Sequence, residues 1–335
     1  MTTVPITLLF ADGASRRFPA MAGQSVASAA AEAGLHLLTD CSNGQCGTCT
    51  AQLISGDLEL GDYDRAVLPD ADRKAGAVLT CVSRVSGPCA VELPYDLSEA
   101  TAEELPPIVG RIAVLEHVAL ETLRLEVDVD QPVDFQPGQY MRLRGRGEAD
   151  WRSYSMANAS GAMRLVFFVR LVEGGVFSTW LTTQARVGAE LELSEPHGSF
   201  FLRHEPRPRL FVAGGTGLAP FLSMLEAIAA DSRAPAARPP TTLLLGARSG
   251  EHLFALDQLE RLRERLPDLQ VKLAAETAPP EQCHAGYATD LIATLGLDPA
   301  TRIYLCGPPP MVEAGRAAAQ AVGLARGDML CERFN

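Results

Sequence analysis

The chain has 335 residues, a formal net charge of −12, and 47% apolar against 21% charged residues. That length is a prior for two or three domains, and the composition is that of an ordinary globular protein. The acidic balance argues against nucleic acid or an anionic membrane as partner, since phosphate contacts need a basic surface, and the apolar runs are too short and interrupted to span a bilayer.

Met1-Thr2-Thr3-Val4-Pro5 leads directly into a strand pattern, with no basic-then-apolar leader ahead of it. Residues 6–10 read as a strand, Ala11-Asp12-Gly13 as a turn and Arg16-Arg17-Phe18 as its hairpin partner. The Ala-rich segment 25–33 reads as a short helix, with Ser25 as N-cap and Gly34 closing it. Next comes Cys41-Ser42-Asn43-Gly44-Gln45-Cys46-Gly47-Thr48-Cys49, a C-x4-C-x2-C run, with Cys81 following after a longer gap. This is the plant-type ferredoxin spacing for a [2Fe–2S] cluster. Two irons need four thiolates, and Gly44 and Gly47 allow the tight wrapping that a Cβ would obstruct. Zinc sites usually come as paired short knuckles, which this run is not. Cys41, Cys46, Cys49 and Cys81 are therefore the expected ligands, and strand, strand, helix and cysteine loop follow the order of a β-grasp ferredoxin. The acidic Asp62-Tyr63-Asp64 reads as a solvated face. Cys89, with no spacing relation to the ligands, reads as a buried small residue. With four of eight cysteines assigned to iron and no export signal, a cytoplasmic location is expected.

The first domain is expected over residues 1–97, with a polar, acidic, Pro-ending linker over 98–107. Residues 108–206 then carry short alternating segments (111–115, 122–127, 140–143 and 165–169), separated by turns such as Gln136-Pro137-Gly138, the pattern of a small antiparallel barrel. Inside it stand Arg152-Ser153-Tyr154-Ser155 and Gly174-Gly175-Val176-Phe177-Ser178, the latter opening a helix over 179–185. A flavin diphosphate needs a cation, an aromatic wall and helix N-terminal amides, which these two motifs supply together. Flavin is the expected cofactor.

Over residues 207–335 strand and helix alternate, the mark of an α/β doubly wound sheet. Strands are expected at 210–213, 242–245, 270–274 and 302–305, and helices at 221–230, 254–265 and 312–322, with another opening at Thr289 as N-cap. Gly214-Gly215-Thr216-Gly217 follows the first strand without a strict G-x-G-x-x-G, and Cys306-Gly307-Pro308-Pro309-Pro310-Met311 follows the last. Both lie at strand ends, where such sheets bind ligands. Arg248, after the second strand, can take a 2′-phosphate, pack on adenine or face solvent. Cys283 and His284 have no clustered ligands to make a second metal site.

These motifs together resemble the ferredoxin–NADP⁺ reductase superfamily behind a plant-type ferredoxin domain, over essentially the whole chain. Within it the chain is similar to the reductase components of two-component aromatic-ring dioxygenases of the benzoate, toluate and anthranilate type, including a chain end like Glu332-Arg333-Phe334. The resemblance implies a multidomain fold of β-grasp, antiparallel flavin barrel and α/β nucleotide domain, using FAD, a [2Fe–2S] cluster and NADH. It implies that Arg152 holds the FAD pyrophosphate with Gly174, Gly175 and Ser178, beside Ser153, and that Tyr154 packs on the flavin. By the same resemblance Ser155 lies near its N5, Phe334 covers the isoalloxazine, Cys306 stands by the nicotinamide, and Glu332 is a further catalytic position. Gly214, Gly215, Thr216, Gly217, Gly307 and Pro308 hold NADH. Ala157-Asn158 departs from the serines that relatives often carry and bears on how the adenine half is held, with FMN a minor alternative. The implied partner is a terminal oxygenase with a Rieske centre, served by a monomeric reductase. Other readings are a reductase for a diiron monooxygenase or for deoxysugar synthesis, and a redox sensor without turnover.

Overall fold

The computed structural model describes residues 3–39, 44, 47–63, 65, 67–101, 106–148, 150–231 and 238–334. The chain divides into two compact units, Met1–Glu104 and Leu105–Asn335.

The first unit grows from a hairpin. β1 (Thr3–Leu9) and β2 (Ser15–Met21) pair antiparallel from Thr3↔Met21 to Leu9↔Ser15, and the Asp12 carboxylate fastens the turn by accepting the Ala14 N–H (3.0 Å). Ile6 and Leu8 alternate onto the inner face and are fully buried, as a half-buried strand requires. α1 (Val26–Glu32) starts where the sequence places it: Ser25 Oγ accepts the Ser28 N–H (3.1 Å). Its Val26, Ala29 and Ala30 pack on the sheet. β3 (Thr50–Ser55), β4 (Leu58–Leu60), α2 (Asp70–Lys74), β5 (Ala77–Leu79), β6 (Ser83–Val85) and β7 (Cys89–Glu92) follow. The sheet order is β2-β1-β7-β3-β5, with β4 and β6 as a separate ribbon. β7 runs parallel to β1 and antiparallel to β3, which makes the unit a β-grasp fold. Cys89 is buried in its core.

α3 (Leu97–Thr101) stands where the composition predicts the start of a linker. Ser98 and Glu99 face outward, but Ala100 is fully buried and its carbonyl accepts the His36 N–H (2.8 Å). A single inward alanine in a polar stretch gives no periodic signal.

In the second unit β8 (Ile108–Ala119), β9 (Thr122–Val133), β10 (Tyr140–Gly145), β11 (Arg152–Ser155), β12 (Ala162–Arg170), α4 (Val176–Thr183) and β13 (Glu190–Leu193) come first. The strands form the antiparallel barrel, in order β11-β10-β13-β8-β9-β12, around Leu125, Val127, Met141, Leu143, Leu165 and Phe167. β14 (Arg209–Gly214), α5 (Leu218–Ala230), β15 (Thr241–Ser249), α6 (Leu256–Arg265), β16 (Leu269–Thr277), β17 (His284–Ala285), β18 (Arg302–Gly307), α7 (Pro309–Ala321) and β19 (Met329–Arg333) then build a parallel sheet of order β17-β16-β15-β14-β18-β19. The order reverses at β14, so the crevice at the C-terminal ends of β14 and β18 is the switch point at which such sheets bind ligands.

Two local readings are corrected. A 3₁₀ turn over Gly215–Gly217 precedes α5, which begins at Leu218 rather than at residue 221. The helix expected from Thr289 is a 3₁₀ helix, Ala288–Thr294, whose N-cap is Tyr287. The Asp290 carboxylate reaches back to accept the Tyr287 N–H (3.0 Å), which starts the helix earlier, while Thr289 is buried.

The two halves of this unit share an aromatic knot. Tyr304 on β18 is fully buried, meets Phe211 edge-on (5.3 Å) and Phe200 edge-on (5.9 Å), and its hydroxyl accepts the Arg203 N–H (2.9 Å). Burial pushes its phenol above the ordinary value. Tyr304→Phe is expected to leave the Arg203 amide unpaired at a cost of about 1–2 kcal/mol, read as a lower urea midpoint with ring packing intact.

Candidate functional site

At the cluster end, backbone pairing positions the thiols. β3 and β5 pair antiparallel with Thr50 opposite Leu79, and the Thr80 N–H donates to the Cys49 carbonyl (3.0 Å). This brings Cys49 Sγ and Cys81 Sγ to 3.1 Å. That exceeds a disulfide bond of about 2.05 Å, so the two are not joined by a disulfide. Gly44 adopts φ +78°, and a Cβ there would lie 2.8 Å from Tyr63 Cβ. Gly47 adopts φ +85°, and its carbonyl accepts both the N–H (3.0 Å) and the hydroxyl (2.6 Å) of Thr50. Two converging thiols beside two glycines in the left-handed region, one of them with no room for a Cβ, fit an iron–sulfur cluster. Cys41 and Cys46 lie outside the described residues. Sequence reasoning missed Tyr95, whose hydroxyl accepts the Leu38 N–H (3.2 Å) ahead of the cysteine loop and whose phenol burial pushes up to about 12. A contact across so long a stretch of chain leaves no local pattern.

In the barrel the two flavin motifs meet. The Tyr154 ring on β11 packs on Phe177, the second residue of α4, at 5.3 Å, and Phe177 stacks on Trp180 at 5.6 Å. Burial pushes the Tyr154 phenol well above its ordinary range, so the ring is a neutral wall. Gly174 (φ +70°) turns the chain into Gly175, the N-cap, which has no side chain to cover the first amides of α4. Open N-terminal amides are an anion site. Ser178 is buried and its Oγ accepts the Val172 N–H (3.0 Å), leaving its own proton to donate. Arg152 and Ser153 are exposed, with Arg152 3.7 Å from Asp150. A cation, a ring and a helix start brought together by one aromatic contact fit FAD.

At the switch point the two glycine-rich turns are packed against each other. A Cβ on Gly217 would lie 2.2 Å from the Cys306 carbonyl oxygen, and one on Gly214 would meet Met311 Sδ at 2.7 Å and Pro308 Cδ at 3.0 Å. Close approach between turns therefore explains these glycines without a G-x-G-x-x-G pattern. Gly215 and Thr216 complete the 3₁₀ turn with Gly217, where a Cβ would also lie 3.1 Å from the Gly307 nitrogen. β19 pairs with β18 so that Glu332 lies opposite Cys306. The Glu332 Oε2 accepts the Ser155 hydroxyl (3.1 Å) and lies 3.6 Å from the Cys306 thiol. One carboxylate thus joins the end of β11 to the end of β18. The Phe334 N–H donates to the Gly307 carbonyl (3.3 Å), and its ring packs on the core containing Cys306. Arg248 is ion-paired with Glu121 of the barrel, so it does not simply face solvent.

A cysteine-bearing β-grasp unit, a barrel with a flavin motif and a doubly wound sheet define an iron–sulfur flavoprotein reductase. Family models described as a 2Fe-2S iron-sulfur cluster binding domain, an oxidoreductase FAD-binding domain and an oxidoreductase NAD-binding domain match residues 9–86, 110–202 and 211–317. The toluate 1,2-dioxygenase electron transfer component of Pseudomonas putida is 34% identical over 330 residues, covering 97% of this chain and 96% of the relative. The 2-halobenzoate 1,2-dioxygenase electron transfer component of Burkholderia cepacia is 33% identical, covering 98% and 97%. Methane monooxygenase component C of Methylosinus trichosporium is 36% identical over 252 residues, 73% of each chain. Among solved structures, a cytochrome P450 reductase of Amycolatopsis matches with a TM-score of 0.73 at 26% identity, covering 98% of both chains. The chain belongs to the oxygenase electron transfer components of the ferredoxin–NADP⁺ reductase family, NAD(P)H-dependent oxidoreductases with FAD and a 2Fe–2S cluster. Among the described residues no helix is long and apolar enough to cross a membrane.

Burial, reinforced by the neighbouring Glu332 carboxylate, holds the Cys306 thiol well above the ordinary value of 9.0. The thiol is a neutral donor at physiological pH, not a nucleophile. Because the unfolded chain releases this proton first, Cys306 is expected to stabilise the fold fully below about pH 8.5 and to lose that contribution as pH rises further. Urea unfolding from pH 7 to 10 checks this: Cys306→Ala should flatten the alkaline decline.

Proposed function

We propose that this chain is the NADH-dependent reductase of a two-component aromatic-ring dioxygenase, and that its physiological acceptor is a Rieske centre. The observation that carries the reading is the Glu332 junction, where Ser155 of the flavin barrel and Cys306 of the nucleotide sheet share one carboxylate. Bound at the residues named below, FAD would supply the conversion between two-electron hydride chemistry and the single-electron chemistry of a [2Fe–2S] cluster, which NADH and a cluster could not achieve directly. The full-length likeness to toluate and halobenzoate dioxygenase components supports the choice of partner. A plant-type cluster near about −400 mV lies below a Rieske centre and can reduce it.

In this reading the chain's residues bind, orient and hold protons. Arg152 and the amides after Gly174 and Gly175, with Ser178, hold the pyrophosphate of FAD, Ser153 lines its edge, and Tyr154 packs on the flavin. Ser155 and Glu332 form a short polar path at the reacting edge, Cys306 presents a neutral thiol to the nicotinamide, and Phe334 covers the isoalloxazine. Gly214, Gly215, Thr216, Gly217, Gly307 and Pro308 give NADH close backbone approach. Cys41 and Cys46 complete the cluster begun by Cys49 and Cys81. We assign residues 1–97, 108–206 and 207–335 to cluster, flavin and nucleotide domains joined by 98–107, in a monomeric cytoplasmic protein. The family-model spans support that division.

Anaerobic titration with NADH should bleach flavin and iron–sulfur absorbance together and raise a rhombic EPR signal. A flavin that bleaches beside an oxidised cluster would overturn the electron path. Cys81→Ser should abolish the cluster spectrum and one-electron delivery while ferricyanide is still reduced by NADH, measured by stopped-flow absorbance. A second reading, a monooxygenase hydroxylase as partner, is favoured by the likeness to methane monooxygenase component C. Turnover with a diiron hydroxylase but not with a Rieske oxygenase would select it.

A further inference from the structure

We propose that Glu121, a residue of the flavin barrel, sets coenzyme choice in the adjoining nucleotide sheet by holding Arg248 in an ion pair; this deepens the reading above that the chain oxidises NADH. Arg248 lies two residues beyond Gly246, which pairs with Gly214 at the switch point. In doubly wound sheets the end of the second strand reads the adenosine ribose: an acidic side chain bonds the 2′-hydroxyl of NAD, and an arginine accommodates the 2′-phosphate of NADP. Judged by its own sheet, this chain carries the NADP-type side chain.

The barrel reverses that reading. Glu121 occupies the turn between β8 and β9 with φ +59°, a left-handed conformation uncommon for a residue with a Cβ. The turn is pinned on both sides. The Glu121 carbonyl accepts the Leu171 N–H (2.8 Å), and the Leu120 N–H donates to the Glu251 carbonyl (2.9 Å) in the 3₁₀ turn after β15. Phe168 of the barrel packs on Phe254 at 4.7 Å in the same seam. So fixed, the Glu121 carboxylate accepts a hydrogen bond from Arg248 Nη2. The same nitrogen lies 3.1 Å from His252 Nε2, whose Nδ1 lies 2.7 Å from Ser249 Oγ.

Arg248 is therefore engaged on two sides before a coenzyme arrives. A 2′-phosphate must displace a carboxylate or sit beside it, and either carries a like-charge penalty, whereas the neutral 2′-hydroxyl of NADH meets a ready acceptor. The pair is about half exposed (53% and 42%), so its own contribution to stability is small. Selectivity needs no strong pair. It needs one fixed negative charge where the two coenzymes differ by a phosphate, which is discrimination through a repulsive element.

The test uses the flavin- and cluster-loaded protein as wild type, Glu121→Gln, and Glu121→Gln combined with Arg248→Ala. The ratio of kcat/KM for NADH over NADPH is measured, together with calorimetric titration of 2′,5′-ADP against 5′-AMP. Glu121→Gln should lower the ratio and tighten 2′,5′-ADP over 5′-AMP, each on the order of tenfold, the size of one charge-assisted hydrogen bond gained. Adding Arg248→Ala should erase both gains. A merely structural role for Glu121 would change both coenzymes and both nucleotides alike, leaving the ratios fixed, and that result overturns the proposal while the NADH reading stands. A wild-type preference for NADPH overturns the NADH reading and the proposal with it.

Discussion

The Glu332 carboxylate, shared between Ser155 and Cys306, is the contact on which the second unit is organised. It exists because three separate patterns end at one place. β11 runs out at Ser155, β18 reaches Cys306 one residue before its end, and β19 lays Glu332 alongside by parallel pairing. A barrel and a parallel sheet have no periodicity in common, so their relative placement is fixed by individual contacts, both side-chain and backbone. The Glu332 junction does this at the reacting edge, and the Tyr304 hydroxyl on the Arg203 amide does it along the same strand. Displacing either alters the geometry offered to a flavin and a nicotinamide, which must meet face to face.

The chemistry asked of the chain is modest, and its groups are tuned accordingly. Tyr154 and Cys306 are held neutral by burial, so neither adds charge beside cofactors whose own charge changes during turnover. A nucleophile or general base has no task here. The polypeptide supplies orientation, open helix amides and glycine turns through which backbone can approach a phosphate.

Much of this was legible in the sequence, and the reason differs by element. Strand alternation and the change to strand–helix alternation at Arg209 are local patterns that survive into the structure; the cysteine spacing is equally local, and of its four members the described residues show Cys49 and Cys81 together. The Arg152–Ser155 and Gly174–Ser178 motifs were visible separately; their union through Tyr154 and Phe177 depends on barrel closure, which no local pattern encodes. The glycines of Gly214–Gly217 were read as a turn that holds NADH, yet Gly217 is also forced by the Cys306 carbonyl of another strand. Tyr95, Ala100 and Glu121 were missed for one shared reason: each acts on a partner far away in sequence, and each sits in a stretch whose composition reads as turn or surface. Thr289 failed differently, because a nearby aspartate outcompeted its capping preference.

The β3–β5 ladder carries a consequence for the cysteines themselves. Amide–carbonyl pairing at Thr50 and Thr80 sets the separation of Cys49 and Cys81. A shift of one residue in that register would turn the paired side chains to the opposite face of the sheet. Half of the expected ligand set is thus held by a backbone alignment, and a change in either strand can disturb the thiols without touching a cysteine.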